Sequence, residues 1–131
     1  MRVSSSDKRE LAERVLMRSA WVDGPDRELL EQVLGRGVRP RSVAAVSGVS
    51  VRTVQRRVAG LVKRLTDGDV EVVLRRHGQW PAETSSVALA VWVRGKTLRE
   101  TAGELGMSLH RVRQEVQLVR GLLAAVRTEG A

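Results

Sequence analysis

Apolar residues along this chain recur at three- and four-residue intervals, interrupted by short polar or glycine-containing breaks, so the pattern predicts helices throughout. The clearest run is Val51, Val54, Val58, Leu61 and Leu65, a stripe that predicts a long helix with one buried face. Ser50 is placed to cap it. A shorter helix over about residues 41–47 precedes it, and Gly48 stands where a helix end calls for left-handed backbone. Upstream, Leu11, Val15 and Leu16 predict a first helix over residues 7–20, capped by Ser6 behind a frayed tail of residues 1–6. Val22-Asp23-Gly24-Pro25 breaks that helix. Asp23 or Gly24 then caps a second one with Pro25 in its first turn and Leu29, Leu30, Val33 and Leu34 on its inner face. Gly35-Arg36-Gly37 ends it, and Asp67-Gly68-Asp69 closes this half and can cap the next helix.

The second half repeats the first at an offset of 58 residues. Arg36-Gly37 returns as Arg94-Gly95, Arg41 as Arg99 and Ala44 as Ala102. Gly48, Ser50, Val54 and Val58 return as Gly106, Ser108, Val112 and Val116, and the stripe returns as Leu109, Val112, Val116, Val119 and Leu123. Helices are predicted over residues 69–76 and 82–94, with His77-Gly78-Gln79-Trp80-Pro81 between them. Thr97 and Glu100 have the spacing of a capping box at the start of a short helix ending at Leu105. Ser108 caps a last long helix reaching residues 124–127, with a loose tail from Thr128. The expected fold is all-α: two tandem four-helix units, residues 1–67 and 68–131.

Composition narrows the partner. Net charge is +8, and Arg36, Arg39, Arg41, Arg52, Arg56, Arg57, Lys63 and Arg64 fall in a stretch without Asp or Glu. Such a balance favours a polyanion: nucleic acid or an acidic membrane surface. The 131 residues contain no Cys, Phe or Tyr, so the core must be aliphatic, with Trp21, Trp80 and Trp92 expected to fill gaps in it rather than stack on bases. The absence of Cys and the isolation of His77 and His110 argue against a metal site, and no cofactor is expected. No apolar run approaches the ~20 residues of a membrane span, and the polar start lacks a secretory pattern. A cytoplasmic protein follows as the expectation, and abundant Arg, Val, Ala and Gly with few Lys point to a GC-rich bacterial genome.

Ala44-x-x-Ser47-Gly48-x-Ser50-x-x-Thr53-Val54 resembles the helix-turn-helix of sigma-factor region-four domains and LuxR-type regulators. Ala102-x-x-Leu105-Gly106-x-Ser108-x-x-x-Val112 resembles it as well, with the usual Leu-Gly where the first copy has Ser47-Gly48. The resemblance implies that each unit contains a helix-turn-helix and that the protein binds double-stranded DNA as a transcriptional regulator. RNA polymerase enters as a second expected partner, because sigma region-four folds also contact proteins.

If the stripe from Val51 to Leu65 faces inward, Arg52, Gln55 and Arg56 are the candidates for reading bases, since Arg suits guanine and Gln suits adenine. Arg39, Arg41, Ser42, Thr53 and Arg57 are the phosphate candidates. In the second unit His110, Arg111, Arg113 and Gln114 take the base-reading places, and Lys96, Thr97 and Arg99 the phosphate places. That copy is less basic, and Glu115, at the position of Arg57, is expected to repel phosphate, so the first unit is expected to dominate affinity. The bland alternative for the arginines is a solvated helix face.

An enzyme is not expected. Gly35-Arg36-Gly37 lacks the strand that a phosphate-binding loop follows, and helix capping accounts for Asp67, Asp69 and Glu71. Two other readings stand beside the regulator: a protein that binds RNA polymerase or another sigma partner, and the DNA-binding part of a transposase or recombinase. Two units in one chain suit a monomer, and the first helix offers a surface for a homodimer.

Overall fold

The computed structural model describes residues 5–129; the chain start assigned to a frayed tail lies largely outside that range. Among the described residues the chain is all-helical, with eight α-helices and no strand. It divides into two compact units, Met1–Thr66 and Asp67–Ala131.

The first unit contains α1 (Ser5–Arg18), α2 (Gly24–Leu30), α3 (Pro40–Ser47) and α4 (Val51–Leu65). The helix α1 ends earlier than its periodicity suggested, because the chain tightens into a 3-10 turn over Ser19–Trp21, where the Ser19 hydroxyl donates to the Leu16 carbonyl. Ser6 lies inside α1 rather than capping it. At its other end α2 widens into a π-helical turn, Glu31–Gly35, closed by the Arg36 N–H donating to the Glu31 carbonyl at 2.8 Å. Gly37, with φ +67°, then turns the chain, a conformation that costs glycine little. Val43, Ala44 and Val54 form the buried centre, with Leu29, Val33, Val38, Val49 and Val58 packed around it. The Arg18 guanidinium at the end of α1 donates to the last carbonyl of α4, Leu65, satisfying one of the acceptors a helix end leaves open.

The second unit contains α5 (Gly68–Arg76), α6 (Ala82–Ala88), α7 (Leu98–Leu105) and α8 (Leu109–Glu129). Shifted by 58 residues, its backbone turns repeat those of the first. Its 3-10 turn is His77–Gln79 and its π turn is Leu89–Val93. The Arg94 N–H donates to Leu89 and the Lys96 N–H to Ala90, matching Arg36 to Glu31 and Val38 to Gln32. Gly95 and Gly106 have positive φ, as do Gly37 and Gly48. Val87, Val112 and Val116 form its buried centre, with Trp92, Leu98, Leu105 and Met107 among the residues packed against them. The last helix runs on to Glu129, past the end inferred from periodicity. Arg127 and Arg76 support that extension through ion pairs to Asp69 (3.7 Å) and Glu129 (3.5 Å).

Two side chains depart from the apolar pattern. Val51, the first member of the α4 stripe, is 36% exposed, whereas Val54, Leu61 and Leu65 are buried. Trp21 is exposed, as is Met17 four residues before it, so it fills no core gap.

Candidate functional site

The site is built on α3 and α4 of the first unit. Gly48, with φ +71° and ψ 22°, ends α3, and its N–H donates to the Ala44 carbonyl at 2.9 Å. Two residues later Ser50 caps α4: its hydroxyl oxygen accepts the Thr53 N–H at 3.1 Å and shares a 2.9 Å hydrogen bond with the Thr53 hydroxyl. This bracing sets the direction in which the first two turns of α4 present their side chains. Val54, Leu61 and Leu65 are buried and point inward. At about 100° per residue, Arg52, Arg56, Ala59 and Lys63 then lie on the opposite face, and all four are exposed there. Gln55 is exposed on the flank shared with Val51, and Arg57 on the other flank.

The start of α3 adds to this surface. Arg39 stands at its N-cap without a side-chain cap, Pro40 supplies no N–H, and Arg41 and Ser42 are exposed in the first turn. The Ser42 and Val43 N–H groups donate to the Arg39 carbonyl, and the positive end of the helix dipole lies beside two guanidinium groups with no side-chain cap. Among the described residues no carboxylate pairs with Arg36, Arg39, Arg41, Arg52, Arg56 or Arg57. The ridge is cationic and uncompensated. Arg57 stands apart from the others, lining an open groove of about 330 Å³ with Asp26, Leu29, Gln32, Val46 and Val54.

The second unit places its residues differently. His110, Arg113 and Gln114 are exposed on α8, and Arg99 is exposed on α7. Arg111 is drawn aside: Nε and Nη2 donate to Glu83 at 3.1 and 2.8 Å, and Nη2 lies 3.2 Å from Glu115. The hydrogen bond and charge of Glu83, with the charge of Glu115, raise its pKa above the ordinary arginine value, so it stays a cation with its donors engaged. Lys96 has an interaction of its own. The Thr97 hydroxyl accepts the Glu100 N–H at 3.1 Å while Glu100 accepts the Thr97 N–H at 3.0 Å, so the capping box occupies the helix start that has no side-chain cap in α3. Arg94 is paired with Glu104.

Glu115 was expected to face outward. It is instead only 6% exposed and accepts a 2.7 Å hydrogen bond from the buried Thr84 hydroxyl. The physical reason is the pairing of positions: Asp26 and Arg57, the equivalents of Thr84 and Glu115, line the open groove of the first unit, whereas the uncharged hydroxyl at Thr84 lets a carboxylate fold in. Neither residue alone carries a sequence signal for this. Among the described residues no group of His, Cys, Asp or Glu could hold a metal ion, and no helix is long and apolar enough to cross a membrane.

Compared with protein-family models, curated proteins and solved structures, the chain gives no match.

Proposed function

We propose that this chain is a sequence-specific DNA-binding protein, a bacterial transcriptional regulator whose two units each carry a helix-turn-helix, α3–α4 and α7–α8. The observation that carries this reading is the ridge of the first unit, where exposed arginines on two successive helices have no carboxylate partner among the described residues. A surface of that kind loses electrostatic energy in isolation and gains it against closely spaced phosphates. Phosphate oxygens suit the uncapped start of α3 with Arg39, Arg41 and Ser42. Thr53, whose hydroxyl is shared with Ser50, and Arg57, on the groove side, flank the ridge as further phosphate contacts. Base edges in the major groove suit α4, with Arg52 and Arg56 one turn apart for guanine and Gln55 for adenine.

The second unit contributes less affinity and reads through His110, Arg113 and Gln114, while Arg111 must leave Glu83 before it can reach a base. Regulation follows from occupancy: the bound chain blocks or recruits polymerase.

Titrating the full chain with duplex DNA at several salt concentrations tests the reading. Affinity is expected to fall steeply with salt, with a log–log slope of about −0.9 per phosphate neutralised. Changing Arg52 and Arg56 together to Ala is expected to narrow the gap between a selected and a random duplex by at least about tenfold, since each bidentate contact discriminates by roughly 1–3 kcal/mol. Equal losses on both duplexes argue against base reading. Weak, sequence-blind and salt-insensitive association favours instead a protein that docks on polymerase or another sigma partner.

A further inference from the structure

Val51 is the most exposed residue of the α4 stripe. It is 36% exposed, whereas Val54, Leu61 and Leu65 are buried and Val58 is partly buried against the centre formed by Val43, Ala44 and Val54. Its counterpart in the second unit, Leu109, is half-buried. A β-branched residue in the first turn of an exposed helix is a poorer helix former than Ala, so local structure does not account for it.

Its position does suggest a use. Val51 and Gln55 are four residues apart, so their side chains are neighbours on one flank of α4. That flank adjoins the ridge of Arg52 and Arg56. The other exposed apolar residue near the turn, Val46, lines the groove on the Arg57 side instead. The flank therefore offers a methyl-bearing surface next to an amide, beside a row of guanidinium groups. In the major groove an A·T pair presents this complement: adenine N7 and N6–H₂ for an amide, and the thymine 5-methyl for an apolar contact.

We infer that Val51 is a specificity-determining residue that packs against a thymine 5-methyl group in the major groove, so that the target site carries an A·T pair under the Val51–Gln55 flank beside the guanines under Arg52 and Arg56. The inference rests on the DNA-binding reading above.

Its test uses the full chain and the duplex recovered by selection from a random pool. Each thymine of that duplex is replaced in turn by deoxyuridine, which removes the methyl group and keeps the pairing. At one thymine the native chain is expected to lose about fourfold in affinity, the value of one buried methyl-sized group. Val51→Ala is expected to be weaker by a similar factor on the unmodified duplex and indifferent to the same replacement, the non-additivity that marks a direct contact. Because Val51 is the most exposed residue of the stripe and Ala is the better helix former, this variant should melt close to the native chain, which circular dichroism checks. The inference is overturned if the recovered site has no thymine, or if every replacement affects the native chain and Val51→Ala equally. A chain that selects its duplex but ignores the methyl groups removes this inference alone. A chain that binds no duplex removes the DNA-binding reading with it.

Discussion

Thr84 and Glu115 illustrate how much a single residue's meaning depends on what faces it. Glu115 sits on α8 where Arg57 sits on α4, and by periodicity alone both point to the side of the helix. The Thr84 hydroxyl, buried and 2.7 Å away, turns one of them into an interior group. Arg111, bridging Glu83 and Glu115, completes the charge balance at the rim. Removing the hydroxyl while keeping the shape leaves the carboxylate short of a partner, which costs about 1–3 kcal/mol for a buried polar group. Thr84→Val is accordingly expected to lower the urea midpoint of unfolding by more than the corresponding change Asp26→Ala, which removes only the charge at the first turn of α2, worth about 0.3–1 kcal/mol. A Thr84→Val variant as stable as the native chain would show that the bond contributes nothing.

At the scale of the element, the expected caps of four helices form, whereas Ser6 lies inside α1 and Asp23, at the N-cap of α2, makes no side-chain cap bond. Ser50 on α4, Asp67 on α5, the Thr97–Glu100 box on α7 and Ser108 on α8 all hold the backbone N–H groups that the sequence suggested. Caps are local: donor and acceptor lie within three residues, so nothing distant is needed to recognise them. The π turns at Glu31–Gly35 and Leu89–Val93 were not legible, since each ends its helix and no further turn of apolar residues follows to register the shift in phase. The glycines of α4 and its turn separate backbone strain from helix propensity. Neither Gly48 nor Gly60 has a neighbour that an added methyl group would meet. Gly48→Ala is expected to cost about 1–2 kcal/mol, because a left-handed backbone is strained for any residue with a Cβ. Gly60→Ala, in the middle of α4, is expected to stabilise by about 0.5–1 kcal/mol. Thermal melts of the two variants should shift in opposite directions; shifts of the same sign would refute the assignment of the Gly48 cost to backbone strain.

For the molecule as a whole, the two units share a backbone plan and differ in how their charges are balanced. The same 3-10 turn, π turn and left-handed glycines recur 58 residues apart, although most paired positions carry different side chains. In the first unit the cations of α3 and the start of α4 are left without carboxylate partners among the described residues; in the second, Glu83, Glu100, Glu104 and Glu115 occupy cations or helix N–H groups. If the proposed function holds, Arg39→Ala combined with Arg41→Ala should reduce the salt slope of DNA binding by about two, one for each phosphate no longer neutralised. Lys96→Ala combined with Arg99→Ala should reduce it by less. Equal changes from the two pairs would mean that both units carry the polyanion equally.

What the sequence determined by itself is what depends on near neighbours: helical periodicity, the capping residues, the left-handed glycines, and a repeat whose two copies can be aligned by eye. Its charge distribution also marked the stretch from Arg36 to Arg64. Only the tertiary structure decided which of the marked residues remain outside. Val51 stayed more exposed than the rest of its stripe, Glu115 gained a buried place against Thr84, and Arg111 and Thr97 had their polar groups taken by Glu83 and Glu100. The reason is physical: a hydrogen-bonding or apolar group is spent on the partner that packing brings within a few ångströms, and packing brings together residues that the linear pattern keeps apart.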